Sequence, residues 1–482
     1  MSYPMAPYLE LLRKQLETSL IPRDSNSRKV PLYGHRILTM LLLREKALPA
    51  LQLKALAAFS DLLDELCAEL EVLDGGMILI PQLMHHVRTT PDYQQAEAFL
   101  QRATHLLSLN PSEAGRILQR KVSTITFDLQ QAFGQAVNEQ DMKPVDDEAE
   151  IEPLTAEQKV ALRDYLRARF QEDVAVEICK VKSIIGGGSK QTLIIELHNA
   201  KTLPSAIVVR VDKAEGVVGS TVLDEYQLIK LVFEAGIPAP RPFAVEADKA
   251  VLGAPFIIVS RIEGHNVGDW FELDEPSRAF AVGVARTLAK LHNIPPEAAG
   301  DHLPGAKITT RERVQQEVAV YEQSWRTWGE PSIAMEQALG WIKAHMAFAD
   351  GKRSIIHGDV GCHNMLGKNG ELTALLDWET AVIGNPAHDL IYTYVFAAQM
   401  MPWDEYLGEY EKAGGTIPSK AEMDFYRVYC ALFGIHFMFM ARSFFYSGLS
   451  TSMIHAYATQ RLMLYTEDNL HRAVKLALER DD

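Results

Sequence analysis

The chain has 482 residues, 47% of them apolar, a formal net charge of −15 at pH 7 and four cysteines. That length suffices for two or three domains with cores of their own, and the acidic balance works against non-specific nucleic-acid binding, which depends on basic residues neutralising phosphates. Cys67, Cys179, Cys362 and Cys430 show no CxxC or CxxH spacing, so neither a disulfide framework nor a zinc site is expected; with no signal-peptide pattern and no membrane span, a reducing cytoplasm is the natural location.

Residues 1–138 read as an all-helical module. YLELLRKQLETSL (8–20), HRILTMLLLREKALPALQLKALAAFSDLLDELCAELEVL (35–73) and YQQAEAFLQRATHLLSL (93–109) repeat apolar residues at i, i+3, i+4 spacing. PSEAGRILQRKVSTITFDLQQAFGQAVNE (111–139) adds a helix with Pro111 and Ser112 near its start. Turns are expected near Ser25, at Asp74-Gly75-Gly76 and at Asn110-Pro111. Three roles are open to the module: contacting an acceptor, mediating a homodimer, or capping the next domain. Residues 139–154 are acidic and contain Pro144 and Pro153, the signature of an exposed linker. Leu154 to Phe170 then opens the following domain as a helix.

KSIIGGGSKQTLIIEL (182–197) places Gly186, Gly187 and Gly188 between two strand-like runs. Glycines admit positive φ and let backbone N–H groups approach phosphate oxygens, although any hairpin can use such a turn. Ser189, Gln191 and Thr192 are the candidate loop contacts. The next strand, SAIVVRVDK (205–213), carries Arg210, whose guanidinium can grip phosphate bidentately, with Lys213 three residues on. The helix in STVLDEYQLIKLVFEAG (220–236) offers Glu225, either as a partner for Arg210 or as a solvated helix charge. APFIIVSRIEG (254–264) is an apolar strand that turns polar at Ser260. It suits a hinge where a nucleotide base bonds the backbone between Ser260 and Ile262, which leaves ATP and GTP undistinguished.

SRAFAVGVARTLAKLHNI (277–294) has helical periodicity and ends in Leu291-His292. YEQSWRTWGEPSIAMEQALGWIKAHM (321–346) also reads as helical; Trp325, Trp328 and Trp341 either line an acceptor pocket or belong to the core. The most informative stretch follows: HGDVGCHNMLGKNGELTALLDWE, from His357 to Glu379. It sets Asp359 in a tight His-Gly-Asp turn, Asn364 five residues later, and Asp377 at the end of an apolar strand. A kinase-type phosphoryl-transfer site needs this layout, with one carboxylate to accept the proton of an attacking hydroxyl and two side-chain oxygens for magnesium. Cys362 and His363 read as loop filler, and His357 as a structural residue of its turn. VYCALFGIHFMFMARSFFYSG (428–448) is apolar but broken by Arg442, so it reads as a buried helix, with His436 in the core.

These residues, continued by LLDWETAVIGNPAHDL (375–390), resemble the aminoglycoside phosphotransferase and choline kinase-like family, a branch of the protein-kinase-like fold. The resemblance runs from Thr155 to the C-terminus. It implies an α+β bilobal kinase-like fold behind the all-helical domain, with a β-rich N-lobe and hinge over 155–262 and a helical C-lobe over 263–482. It also implies that Asp359 is the catalytic base, that Asn364 and Asp377 hold Mg2+, and that Asp389 is a buried partner shaping the catalytic loop. ATP, or GTP, would be the phosphate donor. Gly358 before the Asp, Trp378-Glu379 after Asp377 and the lack of an Ala-Pro-Glu signature separate the chain from true protein kinases. Arg210 in place of a lysine is closer to the kinase part of acyl-CoA dehydrogenase-linked phosphotransferases. The expected activity is transfer of a γ-phosphate to a hydroxyl of a small metabolite, such as a hydroxyacyl compound or another alcohol. The alternatives are an aminoglycoside or choline-like acceptor, and a nucleotide-binding pseudokinase scaffold.

Overall fold

A computed structural model describes residues 29–109, 112–138, 153–171, 173–184, 190–212, 221–268, 273–274, 276–301, 303–446 and 453–480. The expected turns at Ser25 and Asn110-Pro111, the helix over 8–20, most of the acidic linker, Gly186, Gly187, Gly188, Ser189 and Lys213 lie outside these residues. The chain forms two compact units, one of residues 1–147, 314–349 and 424–482, the other of residues 148–313 and 350–423.

The chain begins with α1 (Lys29–Glu71), α2 (Gly76–Met84), α3 (Tyr93–Leu109) and α4 (Glu113–Asn138). α1 is broken off by the Asp74-Gly75-Gly76 turn, where Gly75 takes φ +85° and a Cβ on Gly76 would collide with the Leu70 carbonyl. Only glycine meets both demands. Helical periodicity does not announce α2: GMILIPQLM is apolar almost throughout and contains Pro81, which reads as a breaker. It forms because Leu79 and Leu83 bury in the core that Phe59, Leu63, Leu70, Leu100 and Phe133 build.

The second unit opens with α5 (Ala156–Arg169), started by a capping box in which Thr155 and Gln158 satisfy each other's backbone N–H. An antiparallel sheet of order β1-β2-β3-β5-β4 follows, from β1 (Glu177–Ile184), β2 (Lys190–His198), β3 (Ala206–Asp212), β4 (Pro242–Glu246) and β5 (Phe256–Ser260). Strand alternation sorts its faces. Leu193, Ile195, Ile207, Val209 and Val211 share a core with Leu162 and Leu166 of α5, so Thr192, Arg210 and Asp212 occupy the other face. α6 (Val222–Glu234), begun by a second capping box at Thr221 and Asp224, packs against β3, β4 and β5.

Further on come β6 (His265–Asn266), α7 (Arg278–Leu291), α8 (Thr310–Trp328) and α9 (Ile333–Ala344). The helical stretch read over 321–346 is thus two helices, parted at Gly329-Glu330-Pro331, with Ser332 capping the second. Of its tryptophans, Trp325 and Trp341 are buried and Trp328 is half-buried. β7 (Ser354–Ile356), β8 (Met365–Lys368), β9 (Glu371–Leu375) and β10 (Val382–Gly384) carry the loops of the catalytic motif. β8 and β9 meet at Asn369-Gly370, both at positive φ, as a two-residue hairpin requires. The chain closes with α10 (Ala387–Met400), α11 (Trp403–Lys412), α12 (Lys420–Tyr446) and α13 (Met453–Arg480). No helix among the described residues is long and apolar enough to cross a membrane. Arg442, which breaks the apolar run within α12, is 1% exposed and donates to the Trp328 carbonyl.

His436, also on α12, stacks on Tyr321 with ring centroids 4.7 Å apart, and its Nδ1 is buried without a hydrogen-bond partner. Burial pushes its imidazole down to about 4. A folded value below the unfolded one of about 6.5 means that this contribution is complete above pH 6.5 and is lost as pH falls toward 4. The stability of His436→Leu relative to wild type should therefore rise between pH 7 and pH 5 in parallel thermal melts. A difference that stays constant over that range contradicts the assignment.

Candidate active site

Asp389, at the start of α10, is fully buried and organises the loop before β8. Its Oδ2 accepts the His357 N–H at 2.8 Å and its Oδ1 the Gly358 N–H at 2.9 Å. His292, the residue that ends α7, brings Nε2 within 3.0 Å of Asp389 Oδ2 and Nδ1 within 2.9 Å of the Tyr410 hydroxyl. Burial alone would raise the Asp389 carboxyl, but the His292 hydrogen bond and charge hold it below the usual range. Gly358 sits at φ +83°, with a Cβ position 2.5 Å from the Thr380 carbonyl. A side chain there would be strained and would clash, a local reason for glycine before Asp359. His357 is structural in its contacts: Nε2 lies 2.9 Å from the Leu376 carbonyl, and its ring packs on Trp378.

The turn so held presents Asp359. Its Oδ2 accepts the Asn364 amide at 2.9 Å and lies 3.3 Å from His363 Nε2, while its Oδ1 is buried without a hydrogen-bond partner. Desolvation would raise this carboxyl, but the neighbouring His363 and the Tyr392 hydroxyl hold it down to about 2. It is therefore ionised throughout the physiological range. His363, read from sequence as filler, thus lies in direct contact with Asp359. The i, i+4 spacing from Asp359 was the only signal of it.

Asn364 donates its amide to Asp359, which leaves its Oδ1 as the atom available to a cation. The Leu376 N–H bonds the Asn364 carbonyl at 2.8 Å, tying Asp377 to the same loop. Asp377 adopts the left-handed region, φ 61°, a conformation Asp tolerates better than most residues. One amide and one carboxylate oxygen suit magnesium, a hard cation that keeps much of its shell for water and phosphate. Among the described residues no cluster of three or more His, Cys, Asp or Glu side chains could hold a metal.

Arg210 reaches the same place from β3. Its Nε donates to Glu225 of α6 at 3.1 Å and its Nη2 to Asp377 Oδ1 at 2.7 Å. Burial opposes its charge, but Glu225 and Asp377 outweigh that and raise its pKa. Burial pushes the Glu225 carboxyl up to about 7 against the pull of Arg210. Thr192 stands directly across from Arg210 in the β2–β3 register, whereas Gln191 stands across from Val211 and so lies on the opposite face. Ser260 is engaged elsewhere: its Oγ accepts the Arg241 N–H at 2.9 Å and its own N–H donates to the Arg241 carbonyl. Ile262 follows β5 as a half-buried residue. Three residues not singled out as site candidates from sequence complete the constellation. Lys190, 4% exposed, lies 3.3 Å from Asp212 and 3.7 Å from Glu379.

Comparison with known proteins places this arrangement. A family model described as phosphotransferase enzyme family matches residues 182–429, more than half of the chain. Acyl-CoA dehydrogenase family member 11 from Homo sapiens is 28% identical over 229 residues, covering 46% of this chain and 28% of that protein. The Pongo abelii protein of the same name is 27% identical over 223 residues, covering 44% and 27%. The chain thus matches little more than a quarter of the length of these relatives. Among solved structures, a thermostable mutant of aminoglycoside phosphotransferase APH(4)-Ia in ternary complex with AMP-PNP and hygromycin B is 16% identical, with TM-score 0.46, covering 65% of this chain and 98% of that one. The match over 182–429 covers more than half of the chain, which therefore belongs to the phosphotransferase enzyme family.

Proposed function

We propose that the protein transfers the γ-phosphate of a magnesium nucleotide, ATP or GTP, to a hydroxyl of a small metabolite. The observation that carries this is Asp359, whose Oδ2 is fixed by Asn364 and His363, which leaves Oδ1 as the oxygen that would meet the acceptor. In this reading Asp359 Oδ1 takes a hydrogen bond from the acceptor hydroxyl. It receives that proton as the oxygen forms its bond to the γ-phosphorus and the bond to the leaving diphosphate breaks. A carboxylate near pKa 2 is a weak base, so its main work is orienting the hydroxyl and taking the proton late. Asn364 and Asp377 would hold magnesium, which supplies charge neutralisation to the phosphate oxygens. Arg210, kept charged and aimed by Glu225, belongs on the phosphates, and the glycine loop and the Ser260 to Ile262 backbone on the nucleotide.

For the acceptor, the similarity to acyl-CoA dehydrogenase family member 11 favours a hydroxylated acyl compound. No disulfide joins Cys67, Cys179, Cys362 and Cys430, which suits a reducing cytoplasm. The test is transfer of labelled γ-phosphate from Mg-ATP and Mg-GTP to a panel of hydroxyacyl-CoAs, simple alcohols, choline, sugars and aminoglycosides. Labelling strongest on the hydroxyacyl compounds is the expected outcome. Labelling of choline or aminoglycosides instead would overturn the acceptor class. Tight nucleotide binding with no transfer to any acceptor would replace the enzyme with a scaffold.

A further inference from the structure

Arg210 is the cation that sequence comparison with kinases directs attention to, yet its guanidinium is already divided between Glu225 and Asp377. The sheet brings a second cation to the same face. Lys190 opens β2 immediately after the glycine loop, and the register sets it across from Asp212, with Thr192 across from Arg210 one step along. Residues two apart on a strand share a face, so Lys190, Thr192, Arg210 and Asp212 all look the same way. Lys190 is 4% exposed, which a lysine tolerates only among opposite charges. Its ammonium lies 3.3 Å from Asp212 and 3.7 Å from Glu379, two residues beyond Asp377.

Among the described residues, two cations, Arg210 and Lys190, face the carboxylates of Asp212, Asp377 and Glu379, while burial pushes the Glu225 carboxyl toward its neutral form. A divalent cation would offset the excess of carboxylates, and a triphosphate arriving with it needs positive groups to meet its oxygens. A lysine ammonium on a flexible stem, held at ion-pair distances rather than in a rigid fork, can swing its donors from carboxylate to phosphate at small cost.

We propose that Lys190 is a second phosphate-binding cation of this site, acting beside Arg210 on the terminal phosphates of the bound nucleotide. The proposal rests on the phosphotransfer reading above. It assigns the strand after the glycine loop a charged contact.

Equilibrium binding separates this from a purely structural ion pair. Affinities for Mg-ATP, Mg-GTP and AMP are measured by calorimetry on wild type, Lys190→Gln and Lys190→Arg. Loss of a charge-assisted contact to phosphate should weaken triphosphate binding by about ten- to a hundredfold and leave AMP binding unchanged, with Lys190→Arg recovering a large part. A structural role would lower triphosphate and AMP affinity together, or leave both unaltered; either result overturns the assignment. If wild type binds neither triphosphate, the phosphotransfer reading falls with it. If wild type binds and only Lys190→Gln fails to discriminate, that reading stands and the role of Lys190 alone is lost.

Discussion

Asp359→Asn should reduce phosphate transfer by about a thousandfold or more while leaving Mg-nucleotide affinity within a few fold of wild type. The amide keeps the size of the side chain but cannot accept the acceptor's proton. It would also turn an N–H2 toward His363 or Asn364, where the carboxylate now accepts, at 3.3 Å and 2.9 Å. Nucleotide affinity should hold because the atoms assigned to metal and phosphates, on Asn364, Asp377 and Arg210, are not those of the Asp359 carboxylate. Single-turnover transfer with labelled nucleotide and calorimetric binding on the same preparation read the two effects separately. Normal turnover in this variant would remove Asp359 from the role of base. Loss of nucleotide binding in equal measure would mean that its charge serves the metal instead.

The second large effect concerns Asp389, which no substrate need touch. Asp389→Ala removes the acceptor of two buried N–H groups, on His357 and Gly358, and the partner of His292 Nε2 at 3.0 Å. Breaking a fully buried, hydrogen-bonded charge cluster costs about 3–5 kcal/mol, because the groups left behind find no water. The transition of the unit that holds Asp389 should move to markedly lower urea, and transfer should fall even where the protein remains folded, since the Asp359 turn loses its anchor. Asp389→Asn keeps one acceptor oxygen and should fall between the two. An Asp389→Ala protein that unfolds with wild type would show that β7 and Trp378 hold the turn without it.

Much of the site was legible in sequence because its parts are local. The His357-Gly358-Asp359 turn, the Asn364 spacing and Asp377 at a strand end are short-range patterns whose backbone demands appear in residue type. Gly358 at positive φ is one such demand, and Asp377 in the left-handed region is another. The capping boxes at Thr155 and Thr221 likewise state where α5 and α6 begin. What stayed hidden was pairing across distance. His363 looked like filler because its reach to Asp359 depends on how the short turn at Cys362–Asn364 aims its ring. Lys190 drew no notice, and Gln191 looked like a loop contact, because only the β2–β3 register sets Lys190 across from Asp212 and Thr192, not Gln191, across from Arg210. The helix α2 escaped because burial of Leu79 and Leu83 outweighed the proline in its sequence.

By itself the sequence determined the side chains offered to the proposed chemistry, the Asp359 carboxylate, the Asn364 amide with the Asp377 carboxylate and the Arg210 guanidinium, and many of the strands and helices that carry them. Those follow from side-chain type and from backbone preferences acting over a few residues. The tertiary structure alone decided which charges meet: Arg210 with Asp377, 167 residues apart, and His292 with Asp389, 97 apart. Such pairs exist only because folding of the whole unit meets the entropy of bringing distant segments together. The low-dielectric interior then makes each unpaired charge too costly to leave alone, so the partners of Arg210, Lys190 and Asp389 are properties of the fold.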